Sequence, residues 1–93
     1  MRRIERTTKF KRDYKREIKS RHRSSLETDL VAILRFLVED VPLAERYRDH
    51  PLTGEWSDHR DCHVKPDLVL IYRKTEDDIL QLVRLGSHSE LGL

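Results

Sequence analysis

The sequence predicts an α+β fold in which two amino-terminal helices pack on one face of an antiparallel sheet, in the order strand, helix, helix, strand, strand, strand. Three observations predict it. Residues 7–40 hold two stretches whose apolar side chains recur at helical spacing, residues 56–85 hold three runs rich in β-branched and aromatic residues, and the connections between those runs suit antiparallel hairpins. At 93 residues the chain has room for one core, so residues 1–93 read as a single domain.

Residues 2–6 are short enough for an edge strand, and Thr7 or Thr8 supplies an N-cap for the first helix. There Phe10, Tyr14 and Ile18 form a narrow apolar stripe, while Lys9, Lys11, Arg12, Lys15, Arg16 and Lys19 cover the other faces. Ser24 followed by Glu27 has the pattern of a capping box, placed beside Leu26, Leu30, Ile33, Leu34 and Leu37 at helical spacing. Pro42 ends that second helix near Glu39 or Asp40. Residues 41–55 follow neither period and carry Pro42, Pro51 and Gly54, so they read as a long loop of the kind that often serves function. Strands follow at residues 56–64, 67–73 and 79–85, joined through Lys65-Pro66 and through residues 75–78. The tail beyond Gly86 places His88 just past the last strand.

A formal net charge of +2 conceals an asymmetry. Residues 1–23 hold eleven Lys or Arg against three acids, whereas the rest of the chain is net acidic. A basic block of this kind fits either a polyanionic partner such as nucleic acid or a solvated helix face. Cys62 is the only cysteine, so no internal disulfide forms; on its strand it reads as a small core hydrophobe. The first residues lack the apolar run of a signal peptide, and no window reaches the length of a membrane span. The expectation is a cytoplasmic protein without membrane contact.

His50, His63 and His88 fall at the loop and at two strand ends, so three distant segments each bring an imidazole to an element boundary. Histidine titrates nearest neutral pH and can both accept and donate a proton. Asp67, across the turn from His63, can orient an imidazole or act as a base. Cleaving RNA requires this equipment: a base for the ribose 2′-hydroxyl, an acid for the leaving 5′-oxygen, and cations for the phosphate. Arg48, Arg60, Lys65, Arg73 and Arg84 are available cations, and Trp56 beside the loop can stack on a base. Each of these residues also has a plain structural reading: a surface histidine, a core tryptophan, a strand-ending aspartate. His22 and His59 are assigned to that class. Three histidines and an aspartate are acceptable zinc ligands, but neither a His-x-x-x-His pair nor a paired-cysteine motif is present, and no metal or cofactor is expected. There is no glycine-rich phosphate loop and no nucleophile elbow.

The segments Tyr47-Arg48-Asp49-His50-Pro51-Leu52-Thr53-Gly54-Glu55-Trp56 and Arg60-Asp61-Cys62-His63-Val64-Lys65-Pro66-Asp67, with the late Gly86-Ser87-His88, resemble YafQ-type toxins of the RelE superfamily. The resemblance implies a RelE-like fold and a ribosome-dependent endoribonuclease that cuts messenger RNA in the ribosomal A site without a metal. It also implies a paired antitoxin that silences the toxin. By position His50, His63, Asp67 and His88 match the family's acid–base set, and Trp56 a residue beside the cleft. On this reading His88 donates a proton, Asp67 or His50 acts as base, and His63 stabilises the phosphate. Arg48, Arg60, Lys65 and Arg84 then bind substrate, and Lys9, Lys11, Arg12, Lys15, Arg16 and Lys19 meet ribosomal RNA. The family's tail usually carries an aromatic residue near its end; Ser89-Glu90-Leu91-Gly92-Leu93 has none, so base stacking by the tail does not carry over. Two rivals remain. A ParE-like protein would share the fold and bind DNA gyrase without nuclease chemistry, and a simple RNA-binding module would use the basic helix alone.

Overall fold

The computed structural model describes residues 1–20 and 24–93; His22 lies outside them. A short strand β1 (Arg3–Arg6) leads into helix α1 (Thr8–Ile18). Thr7 caps it as expected: its hydroxyl accepts from the Phe10 N–H at 3.0 Å and donates to the Val83 carbonyl at 2.7 Å, so the cap also pins the helix to the sheet.

Helix α2 (Leu26–Val38) does not use the predicted capping box. Its N-cap is Ser25, and no side chain caps it; the Ser25 hydroxyl accepts from Lys65 Nζ at 2.6 Å instead. Binding across to the sheet has displaced the local cap. The far end closes where Pro42 suggested. Asp40 adopts φ 57°, its N–H reaches Leu37 O, and Val41 N–H reaches Phe36 O, the double bond pattern of a Schellman motif with aspartate in the usual glycine place. The Asp40 carboxylate then ties this corner together by accepting from Arg2 Nε at 2.8 Å and Lys74 Nζ at 2.7 Å.

The rest of the sheet comprises β2 (His50–Pro51), β3 (Arg60–Lys65), β4 (Leu68–Lys74) and β5 (Ile79–Gly86), followed by a short helix α3 (His88–Leu91). Strand order is β1-β5-β4-β3-β2. The predicted edge strand is present, but it runs parallel to β5, from Arg3 opposite Ile79 to Arg6 opposite Leu82. The sheet is therefore mixed. Parallel neighbours need a long crossover, which the two helices and the intervening strands provide. The predicted strand at residues 56–64 starts late: Gly54–Trp56 is a 3₁₀ turn, Asp58 has φ 70°, and the ladder begins only at Arg60. The loop before it is also more ordered than expected, with a 3₁₀ turn at Glu45–Tyr47 and with β2 pairing His50 to Asp61.

Side-chain alternation sorts the sheet into two apolar faces. Cys62, Val64, Leu68, Leu70, Tyr72, Leu80, Leu82 and Leu85 meet Phe10, Leu26, Leu30, Ile33 and Leu37 under the helices. Cys62 is the core hydrophobe it was read to be, and burial pushes its thiol pKa up. On the other face Val69 and Ile71 are covered by Leu91 of α3 and by Leu52, Trp56 and Val83. This second covering explains the unbroken apolar run of β4, since that strand is buried on both sides. It also brings the tail back over the sheet, beside β3.

Candidate active site

The cluster starts at the β2–β3 pair. Antiparallel pairing sets His50 opposite Asp61, and alternation along β3 puts Asp61 and His63 on the face of Ile71 and Val69, away from Cys62 and Val64. His50 Nδ1 donates to the Arg48 carbonyl at 2.7 Å, and the same nitrogen lies 3.1 Å from Asp61 Oδ1. Because that N–H points at the carbonyl, Asp61 Oδ1 has no directed hydrogen bond. Arg48 adopts φ 51°, which turns its carbonyl towards His50.

The other half is built by the β3–β4 turn and by α3. Asp67 sits in the turn, and its Oδ1 accepts from His88 Nδ1 at 2.7 Å and from the His88 backbone N–H at 3.2 Å. The His63 and His88 rings meet edge to face with centroids 5.0 Å apart. Two segments far apart in sequence, the β3–β4 turn region and α3, thus bring His63, Asp67 and His88 together, with His50 joined to them through the field of Asp61.

Electrostatics divides the two groups at the centre. Burial pushes the Asp61 pKa up, at 3% exposure, while the charges of His50, His63 and His88 pull it down less strongly. Burial lowers the His63 pKa, and His88, Arg48 and His50 add to that effect against the opposing charge of Asp61. His63 therefore favours the neutral imidazole. Asp61 is the residue that sequence reasoning left without a role. The available signal was its place two residues before His63 on one strand face, opposite the histidine of the loop.

The expected cations part company. Arg48 is exposed and lines an open cleft of about 660 Å³ with Arg46, Tyr47, His63 and Lys65. Lys65 reaches this cleft with its ammonium already bound to Asp29 at 2.6 Å and to Ser25. Arg60 is held by Asp49 at 3.2 Å and by Tyr72, so it braces the loop next to His50. Arg84 has its guanidinium bound to buried Asp13, with Nε 2.7 Å from Oδ2. Arg16 binds Asp13, Glu17 and the Leu85 carbonyl; like Lys9, Lys11, Arg12, Lys15 and Lys19 it is exposed. Arg73 Nε is buried without a hydrogen-bond partner. Trp56 packs over the second apolar face with the His59 ring 5.4 Å away, and His59 itself bonds the Ser57 carbonyl, the structural place assigned to it.

Among the described residues no three His, Cys, Asp or Glu side chains gather as a metal-holding group, and no helix is long and apolar enough to cross a membrane.

Residues 2–92 match the profile of a family described as "Bacterial toxin of type II toxin-antitoxin system, YafQ". The mRNA interferase toxin YafQ of Escherichia coli K12 is 34% identical over 90 residues, covering 95% of this chain and 97% of that protein. A metal-bound toxin from Helicobacter pylori superposes with a TM-score of 0.84 at 41% identity, over 98% of this chain and 99% of that one. The toxin in the E. coli DinJ–YafQ toxin–antitoxin complex superposes with a TM-score of 0.82 at 35% identity, over 98% of both chains.

Proposed function

This chain belongs to the YafQ family of bacterial type II toxin–antitoxin toxins, and from that premise we propose that it is an endoribonuclease that cleaves messenger RNA in the ribosomal A site without a metal. The observation that carries the reading is the meeting of His63, His88 and Asp67, with His50 and Asp61 beside them, where His63 also borders an open cleft lined by Arg46, Arg48 and Lys65. A base removes the 2′-hydroxyl proton, the 2′-oxygen attacks phosphorus, and the bond to the 5′-oxygen breaks as an acid protonates it. A 2′,3′-cyclic phosphate and a free 5′-hydroxyl result.

The resemblance cast His63 as the residue that stabilises the phosphate. Its lowered proton affinity favours it as the base instead, held neutral until it takes the 2′-hydroxyl proton. His88 suits the acid, because Asp67 occupies its Nδ1 and leaves Nε2 for the leaving oxygen. Arg48, which shares the cleft with His63, is a candidate to meet phosphate, and the charge of Asp61 stabilises positive charge on the nearby histidines.

The exposed cations of α1 support contact with ribosomal RNA, where phosphate density is high. The DinJ–YafQ complex of E. coli supports a cognate antitoxin as partner, and the whole chain acts as one RelE-like domain in the cytoplasm.

The test is translation in a cell-free ribosomal system with a defined message, with cuts mapped by primer extension for wild type and for His50→Ala, His63→Ala, Asp67→Ala and His88→Ala. Cuts that need ribosomes and weaken by about 10²–10⁴-fold when the acid or base is lost support the reading. A chelator of transition metals that spares magnesium should leave them unchanged. Intact message with the wild type contradicts the reading and makes gyrase inhibition the next assay.

A further inference from the structure

Behind His88 lies an arrangement that the chemistry above does not use. Helix α3 is four residues long, far below the length at which a helix sustains itself, and His88 is its first residue. It is closed from within by a capping box, in which Ser87 N–H donates to Glu90 Oε1 at 3.0 Å and Glu90 N–H to Ser87 Oγ at 3.2 Å. Leu91 packs it on Val69 and Ile71, His88 bonds Asp67, and on the side facing α1 it is tied down by Arg16. Arg16 Nε lies 3.3 Å from Glu90 Oε2 and 2.9 Å from Glu17 Oε2, Nη1 donates to Asp13 at 2.9 Å, and Nη2 donates to Leu85 O at 2.9 Å. One side chain joins α1, β5 and α3. Gly86 makes room for this pair, since a Cβ there would stand 3.1 Å from Arg16 Nη2 and 3.2 Å from Glu90 Oε1.

We infer that Arg16 and Glu90 are a positioning pair that fixes α3 so that His88 meets Asp67 and His63; this rests on the endoribonuclease reading. Neither residue touches the reacting atoms. Glu90 acts through the Ser87 cap, which sets the start of α3, and Arg16 acts through Glu90. Both side chains are 42% exposed, so their ion pair adds little to stability. The placement of a catalytic imidazole is far more sensitive, since a shift of about 1 Å costs roughly 100-fold in rate. The signature is therefore a loss of rate without a matching loss of stability.

The experiment is single-turnover cleavage on ribosomes by wild type, Glu90→Ala and Glu90→Gln, with and without His88→Ala. Glu90→Ala is expected to lower kcat by about 10-fold, with KM and melting temperature unchanged. Glu90→Gln, whose amide oxygen still accepts from Ser87, loses less. On the His88→Ala background Glu90→Ala costs nothing further, because it acts through the missing ring. Wild-type rates in Glu90→Ala, or the same loss with and without His88, overturn the proposal. Ring ¹⁵N NMR of His88 tests it without RNA: the Nδ1–H tautomer that bonds Asp67 dominates in wild type and mixes with the other in Glu90→Ala, and an unchanged spectrum overturns it. If the wild type cuts no message, the endoribonuclease reading fails, and the NMR result still decides whether the pair holds His88.

Discussion

Replacing Asp13 by alanine removes the carboxylate through which α1 grips β5. Asp13 is 3% exposed; its Oδ2 lies 2.7 Å from Arg84 Nε and 3.0 Å from the Leu85 N–H, and its Oδ1 lies 2.9 Å from Arg16 Nη1. Burial works against the charge, yet the bonds from Arg84, the Leu85 N–H and Arg16 outweigh it and hold the carboxyl below its usual pKa. Alanine leaves the Leu85 N–H buried without an acceptor, at a cost of about 1–3 kcal/mol. Arg84 also loses its partner, and Arg16 loses one of several. Breaking a buried pair costs about 3–5 kcal/mol, but side-chain exposures of 21% for Arg84 and 42% for Arg16 return part of their hydration. The total comes to about 3 kcal/mol, a large share of the roughly 5–15 kcal/mol that holds a domain folded. In urea, with a slope of about 1–3 kcal/mol/M, the midpoint should fall by about 1–3 M at constant slope. Asp13→Asn, which keeps an acceptor for Leu85, should fall less. The double variant Asp13→Ala/Arg84→Met should be less destabilised than the two single losses added together. A midpoint that does not move for Asp13→Ala, or strict additivity in the double variant, would refute the assignment of Arg84 and Arg16 to structure.

Arg84→Met should therefore lower stability while leaving the salt dependence of ribosome association unchanged, whereas Lys11→Ala or Lys15→Ala on α1 should reduce the slope of log K against log salt by up to about 1 each. Asp40→Asn keeps an αL-tolerant residue but loses the pairs with Lys74 and Arg2 that hold the Asp40 pKa at about 2. A carboxyl depressed in the folded state stabilises above its unfolded value and stops doing so as pH falls through its folded value; the melting-temperature gap between wild type and variant should be constant above about pH 5 and close near pH 2. If His63 is the base, its lowered pKa should place the acid limb of single-turnover cleavage below the usual imidazole pKa. Asp61 opposes that lowering, so Asp61→Asn should move the limb to still lower pH, and a move upward would remove His63 from the role.

The two helices and the last two strands were legible because their periodicity is local: Phe10, Tyr14 and Ile18 on one stripe, Leu30, Ile33 and Leu37 on another, and an apolar run from Leu68 to Tyr72. The parallel union of β1 with β5 was not, since its partner lies more than seventy residues away and nothing in residues 3–6 specifies direction. The Ser24–Glu27 pattern misled because Lys65, distant in sequence, bonds the neighbouring Ser25 hydroxyl. At the site, His50, His63, Asp67 and His88 were legible as side-chain types at element ends. Asp61 was not, because its importance comes from being buried beneath them. Arg16 and Arg84 look like any other cations in the sequence until Asp13 and Glu17 are seen to be buried, and the charge of a helix face reveals nothing of which cations are spoken for.

The most direct test of the central claim uses a message carrying a single 2′-deoxynucleotide immediately 5′ of the mapped cut, offered to the wild-type toxin on programmed ribosomes beside the all-ribose message. If His63 and His88 work as base and acid on the ribose hydroxyl, the all-ribose message is cut to leave a 2′,3′-cyclic phosphate, and the deoxy-substituted message stays intact at that position. Cleavage of the deoxy-substituted message at an undiminished rate would contradict the account, because the attacking oxygen would then come from elsewhere.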